Sequence, residues 1–144
     1  MRVSSLAVSA AFVLVAATSF AHSDVSNPAV AARMQAMSDI SAQMKVLGNM
    51  AKGEVDFDAA AAQAAVDTVA ARAAEVPALF EAPETDPESE SLPAIWENWE
   101  DFVAKSETLE TAAANATIAS AADLGPALGQ MGGTCKACHS KYRQ

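Results

Sequence analysis

Apolar residues recur at intervals of three and four in four stretches of the chain, a spacing that places them on one face of an α-helix. The first stretch begins at Asn27-Pro28, because asparagine is a good N-cap and proline is favoured at the first helical position. It runs to about Lys52-Gly53, where the glycine is expected to close the helix. Its apolar or small positions are Val30, Met37, Ile40, Met44, Leu47 and Ala51.

The second and third stretches flank an acidic, proline-bearing segment at residues 81–91, which predicts a solvated loop. The second helix is expected to begin near Asp56 or Asp58, and Pro77 is expected to bend or end it. The third is expected to begin near Ser91-Leu92-Pro93 as one helix. The buried positions of the second helix are Val66, Val69, Val76, Leu79 and Phe80, and those of the third are Leu92, Ile95, Trp96, Trp99, Phe102, Val103 and Leu109.

The fourth stretch contains both cysteines of the chain. Its helix is expected to start between Ser120 and Pro126; if Asp123 caps it, the proline falls in the first turn, where its missing N–H costs nothing. Its apolar stripe consists of Leu124, Leu128, Met131, Cys135, Cys138 and Tyr142. Alanine makes up roughly a quarter of the chain and period-2 alternation is absent, so an all-α fold is predicted. Short connections between four helices favour an antiparallel four-helix bundle.

The sequence Cys135-Lys136-Ala137-Cys138-His139 has the spacing of a c-type haem attachment site. Residues i and i+3 share a helix face, so both thiols can meet the two vinyl groups of one porphyrin, and the next residue places an imidazole under the iron. The alternatives are a structural disulfide, a thioredoxin-like redox pair, which would be expected near a βαβ pattern, or chance. Because the chain has only these two cysteines, we expect one covalent haem c (iron) per chain, inside the bundle.

The N-terminus has the parts of a secretory signal peptide. Arg2 supplies the positive end, Val3–Ala17 form an apolar segment too short to span a membrane, and Ser19-Phe20-Ala21 form a small-x-small cleavage site. Cleavage after Ala21 would leave one domain, residues 22–144, in the periplasm, since bacteria attach haem c outside the cytoplasm. The alternative is an uncleaved anchor.

The charge of the chain limits its partners. The formal net charge is −9, and loss of Arg2 with residues 1–21 makes the mature chain one unit more negative. Such a charge argues against nucleic acid and anionic membranes as partners. It favours a redox partner with a basic docking surface, or serves solubility alone.

Residues 135–143, Cys-Lys-Ala-Cys-His-Ser-Lys-Tyr-Arg, end a four-helix exported chain and resemble the C-terminus of the cytochrome c prime family, the class II cytochromes c. Residues 44–54, leading to residues 57–60, are similar to the family's first-to-second helix junction, and Ile95-Trp96 resemble the start of its third helix. The resemblance covers essentially the whole mature chain. Ordinary class I cytochromes c carry the haem motif near the N-terminus instead.

The resemblance implies a set of haem-binding residues. His139 would be the proximal ligand of the iron, and Met37 of the first helix would cover the opposite, distal face. Arg33, four residues earlier and on the same helix face, would reach a haem propionate. Arg143 matches a positive residue near the proximal histidine, and Thr85-Asp86 resemble a haem-edge loop.

Ligation of the iron by Met37 is left open by the sequence. A methionine in a helical stripe is usually core packing. Some low-spin members of the family use a methionine here as sixth ligand, others leave the iron five-coordinate, and Arg33 is more typical of the second group. Many relatives also form homodimers through their first helices.

Two functions remain as expectations. The first is a one-electron carrier, in which the iron alternates between Fe(II) and Fe(III) against a docked partner. The second is a five-coordinate haem protein that binds or sequesters a diatomic gas, NO or CO. An enzyme is not expected, because after cleavage His22 and His139 are the only histidines and no nucleophile–base constellation is recognisable.

Overall fold

A computed structural model describes residues 25–144, so the predicted signal peptide of residues 1–21 lies outside the described part of the chain. The described residues form five helices. In chain order these are α1 (Pro28–Ala51), α2 (Ala59–Phe80), α3 (Ala94–Glu97), α4 (Trp99–Ala114) and α5 (Ala121–Tyr142).

Helix α1 begins and ends where its sequence predicts. The Asn27 side chain accepts hydrogen bonds from the backbone N–H groups of Ala29 and Val30, at 2.9 and 3.2 Å. At the other end Gly53 has a φ of 71°, in the left-handed region that glycine occupies without steric cost. Both caps satisfy backbone groups that a helix end leaves without intrahelical partners.

Helix α2 does not end at Pro77 but continues to Phe80. A proline inside a helix has no N–H to donate to the carbonyl four residues earlier, which here belongs to Ala73. The Ser106 hydroxyl of α4 donates to that carbonyl instead, at 2.7 Å, and this bond is buried. A hydrogen bond between helices thus replaces the one that the proline removes.

The third predicted helix is in fact two, because the backbone leaves the helical region at Asn98 (φ −130°, ψ 47°). The Asn98 side chain donates to the carbonyl of Ala94 at 3.0 Å. Short polar side chains that bond to nearby backbone in this way compete with continued helix. The break separates the short α3 from α4. Ile95 is buried on the α3 side of it and Phe102 on the α4 side.

The start of α5 also differs in detail from the prediction. Ser120, not Asp123, is the N-cap, and the Asp123 carboxylate accepts from the Ser120 backbone N–H at 2.8 Å. Pro126 is therefore the sixth helical residue and lies in the second turn. Its missing N–H removes the bond to the carbonyl of Ala122, so this proline has a cost that the predicted position would have avoided.

The long helices pack in a closed ring, with α1 against α2, α2 against α4, α4 against α5 and α5 against α1. This is the predicted all-α four-helix bundle. Its interior has two hydrophobic clusters. One surrounds Leu47, Val66 and Met131, and the other contains Val76, Phe80, Ile95, Phe102 and Tyr142. None of the helices described is long and apolar enough to cross a membrane.

Candidate functional site

A cavity of about 590 Å³ lies between the helices, with walls formed by all five helices and the loop that precedes α3. This volume is within the range of natural pockets for small molecules and cofactors. The cavity brings together six of the eight site residues expected from the sequence. They are Arg33, Met37, Cys135, Cys138, His139 and Arg143.

The two cysteines lie one helical turn apart on α5 and both line the cavity as free thiols. Burial raises the pKa of both thiols, and for Cys138 the positive charge of Lys105 opposes that effect. The thiols are therefore neutral at physiological pH. The geometry argues against the structural disulfide considered above, since neither sulfur is paired and both face the cavity.

His139 follows Cys138 and lines the same cavity. Burial lowers the pKa of its imidazole, and the Arg143 guanidinium lowers it further, whereas the Glu90 carboxylate opposes both effects. A lowered pKa favours the neutral ring, which is the form that binds a metal. The helix thus presents two thiols and one metal-binding nitrogen to one space.

Met37 of α1 lines the cavity as well, and among the methionines of residues 25–144 it alone packs against both hydrophobic clusters. Met34 and Met44 line the cavity on the same helix, one turn before and two turns after it. Helix α1 therefore offers the cavity three thioethers, with Met37 at the junction of the two clusters. The other apolar lining residues are Val30, Ile40, Val76, Phe80, Ile95, Phe102 and Leu109.

Arg33 is 2% exposed, and its guanidinium binds the chain at the end of α2. It donates to the carbonyls of Leu79 at 2.9 Å and Glu84 at 2.8 Å, and also to that of Ala82. Burial lowers the pKa of Arg33, and the Glu84 carboxylate partly restores it. Arginine has five N–H donors, so two remain for a group in the cavity.

The loop residues expected at the haem edge do not reach the cavity. Thr85 is exposed, and neither it nor Asp86 is part of the cavity wall. Asp86 instead accepts from the backbone N–H groups of Ser26 and Asn27, at 2.9 and 3.0 Å, and so ties the loop to the start of α1. The loop meets the cavity a few residues later, at residues 88–91.

Three charged residues that the sequence did not single out also line the cavity: Glu88, Glu90 and Lys105. Glu90 forms an ion pair with Arg143, and Lys105 forms one with Asp101 at 3.8 Å. Lys105 lies four residues after Asp101, a spacing that predicts such a pair on a helix. Nothing local predicts the Glu90–Arg143 pair, because its two residues lie far apart in the chain.

The chain resembles known proteins in sequence and in fold. Residues 28–143 match the family model "Cytochrome C'". The chain is 38% identical to "Cytochrome c-556" of Agrobacterium tumefaciens (strain apple 185) over 78% of this chain and 91% of that protein. It is 41% identical to "Cytochrome c-554" of Cereibacter sphaeroides over 68% of this chain and 79% of that protein.

Solved structures show the same likeness. The cytochrome c' of Rhodopseudomonas palustris superimposes with a TM-score of 0.76, at 31% identity, over 82% of this chain and 97% of that one. A nitric oxide complex of a mutant cytochrome c prime from Alcaligenes xylosoxidans superimposes with a TM-score of 0.70. It has 28% identity over 81% of this chain and 94% of the other.

Proposed function

Since the chain belongs to the cytochrome c′ family and its cofactor is covalent haem c, we propose that it is a periplasmic one-electron carrier. When bound, haem c supplies reversible Fe(II)/Fe(III) chemistry. The observation that carries the proposal is that Met37 and His139, from opposite parts of the chain, line one cavity with both thiols. A thioether and an imidazole are the ligand pair that suits electron transfer over ligand binding.

In this proposal α5 holds the cofactor by three side chains. Cys135 and Cys138 each form a thioether, and His139 binds the iron as proximal ligand. The neutral state of both thiols and the lowered pKa of His139 are compatible with these roles. Because all three lie within five residues of one helix, the orientation of the cofactor is set by that helix.

Helix α1 provides the other face. Met37 would be the distal ligand, and the apolar side chains around it would exclude water from the iron and so limit the reorganisation that accompanies electron transfer. Arg33 would bind a propionate through its two free N–H donors, while its three bonds to carbonyls hold the guanidinium in place. Arg143 lies beside His139.

The remaining expectations on partners and location belong to the same proposal. A signal peptide of residues 1–21 exports the domain of residues 22–144. The domain then exchanges electrons with a redox protein. Because this chain carries a negative net charge, a basic docking surface on that partner would be electrostatically complementary to it. A homodimer forms through the α1 helices.

Binding of a diatomic gas is the second candidate function, because one structural counterpart is a nitric oxide complex. In this case Met37 covers the distal face without binding the iron. The cavity continues past Met37 along α1 to Ser38, Ser41 and Met44, which offers a small ligand space beside the distal face.

Carbon monoxide binding to the reduced holoprotein separates the two functions. If the protein is an electron carrier with Met37 on the iron, CO binds slowly to the wild type and orders of magnitude faster to Met37→Ala. Met34→Ala, which alters the same cavity wall, is the control and should behave as the wild type. Fast CO binding by the wild type would favour the gas-binding function instead, provided that Met37→Ala leaves CO binding a direct, single-step process.

A further inference from the structure

The chain does not stop at the end of α5 but turns back across the cavity wall. Arg143 is extended (φ −123°, ψ 138°) and forms an antiparallel bridge with Ser91. The backbone N–H of Leu92 donates to the carbonyl of Tyr142 at 3.0 Å, and that of Gln144 donates to the carbonyl of Glu90 at 3.0 Å. We call residues 142–144 together with residues 89–92 the C-terminal strap.

Side chains reinforce the strap at one point. Two nitrogens of the Arg143 guanidinium, Nε and a terminal one, contact the same carboxylate oxygen of Glu90. Both residues line the cavity, and both side chains are about half exposed, 50% for Arg143 and 55% for Glu90. An exposed ion pair adds little to stability, so its value to the fold is small. Its position beside the haem site is the informative feature.

The pair lies next to the proximal ligand. The backbone N–H of Arg143 donates to the carbonyl of His139 at 3.1 Å, one helical turn away. The charges of Arg143 and Glu90 act on the imidazole in opposite directions. With the pair intact, the carboxylate of Glu90 opposes the effect of the guanidinium on His139; with Glu90 removed, the imidazole faces the guanidinium without that opposing charge.

We propose that Glu90 is a positioning residue: it holds Arg143 across the loop, so that the C-terminal strap stays closed and the positive charge beside the proximal ligand is neutralised. The inference rests on the proposed function, because the charge matters only if His139 binds a redox-active iron. Fe(III) carries one more positive charge than Fe(II), so a nearby uncompensated cation destabilises the oxidised state. Loss of Glu90 should therefore raise the midpoint potential and loosen the strap.

The test compares Glu90→Gln with Glu88→Gln in the holoprotein. Glu88 lines the same cavity from the same loop, and no ion pair involves it in the described part of the chain. Both variants lose one negative charge near the haem, but only Glu90→Gln frees Arg143. Redox titration should show a larger upward shift for Glu90→Gln, and this excess should vanish in an Arg143→Gln background.

Hydrogen exchange measures the strap itself, independently of any electron transfer. The Leu92 amide should exchange severalfold faster in Glu90→Gln than in the wild type or in Glu88→Gln. The charge-swapped double variant, Glu90→Arg with Arg143→Glu, restores an ion pair between the two positions. In this variant the Leu92 amide should again exchange as slowly as in the wild type. The proposal is overturned if Glu90→Gln and Glu88→Gln have equal potentials, or if Leu92 exchanges at the wild-type rate in Glu90→Gln. These readouts remain interpretable even if CO binding contradicts the electron-carrier function.

Discussion

Arg33 shows how one residue can serve both the fold and the cofactor site. Its guanidinium donates to the carbonyl of Leu79 in the last turn of α2 and to two carbonyls of the loop that follows, and it lies over the rings of Phe80 and Trp96, at 4.9 and 5.5 Å. The carbonyl of Leu79 has no intrahelical donor because the helix ends at Phe80, so the arginine is a suitable partner for it. The same side chain lines the cavity, and two of its five N–H donors are not used by these bonds.

We expect Arg33→Met to lower the free energy of unfolding by about 3 kcal/mol, because it removes the three hydrogen bonds by which the buried guanidinium holds the end of α2 and the loop after it. Denaturant unfolding of the holoprotein measures the loss. Arg72→Met is the matched control: Arg72 pairs with Asp39 and Glu75 on the surface, and its loss should cost less than about 1 kcal/mol. Equal losses in the two variants would show that Arg33 does not hold the loop.

At the scale of elements, the contact between α2 and α4 depends on a proline and a serine that compensate each other. Pro77 deprives the Ala73 carbonyl of its helical donor, and the buried Ser106 hydroxyl replaces it at 2.7 Å. Ser106 also lines the cavity, so the bond joins the two helices at the edge of the haem site. The proline is therefore tolerated because of a residue on another helix.

A double-mutant cycle tests this compensation. Ser106→Ala should destabilise the holoprotein by about 1–3 kcal/mol, since the Ala73 carbonyl is then buried without a donor. Pro77→Ala supplies the missing N–H, so the double variant should lose less than Ser106→Ala alone. Thermal or denaturant unfolding of the four proteins gives the coupling free energy. If the effects of the two substitutions on the free energy of unfolding were strictly additive, Ser106 and the restored N–H at position 77 would not share the Ala73 carbonyl as their acceptor.

The helices were predictable because local signals determine them. The Asn27 cap, the Gly53 end and the apolar stripe of α5 are all read from neighbouring residues, and the stripe correctly placed both cysteines towards the interior. The break at Asn98 was missed, because its side-chain bond to Ala94 competes with a strong apolar periodicity. The apolar stripe of α2 extended past Pro77 to Phe80, but the Ser106 hydroxyl that replaces the missing donor lies on another helix and has no local signal.

The site was predictable to the extent that it lies on α1 and α5. The haem motif and the spacing of Arg33 and Met37 place those residues at one cavity. Glu90 was not singled out from the sequence, and Thr85 and Asp86, which the resemblance placed at the haem edge, do not line the cavity. The loop has no periodicity to fix its register, and its position comes from long-range pairing with the C-terminal strap.

On the scale of the whole molecule, the cofactor is part of the core. The two hydrophobic clusters are bridged by Met37, beside a cavity of about 590 Å³. A macrocycle bound there would remove apolar surface from water, which stabilises by roughly 25 cal/mol per Å². We therefore expect bound haem to supply much of the stability of the bundle.

We expect the haem-free protein, made by replacing Cys135 and Cys138 with alanine and removing haem, to lose cooperative unfolding. Its far-UV circular dichroism should retain helix, while near-UV signals disappear and hydrophobic dyes bind, as in a molten globule. Calorimetry against the holoprotein measures the difference. A sharp transition near the holoprotein's melting temperature would show that the helices alone form the core.

The central claim is that His139 and Met37 hold the iron between α5 and α1. Electron paramagnetic resonance of the oxidised holoprotein tests it most directly, on the wild type, Met37→Ala and the control Met34→Ala. The account predicts a low-spin wild type, a low-spin Met34→Ala and a high-spin Met37→Ala. A high-spin wild type, or a low-spin spectrum that Met37→Ala leaves unchanged, would contradict it.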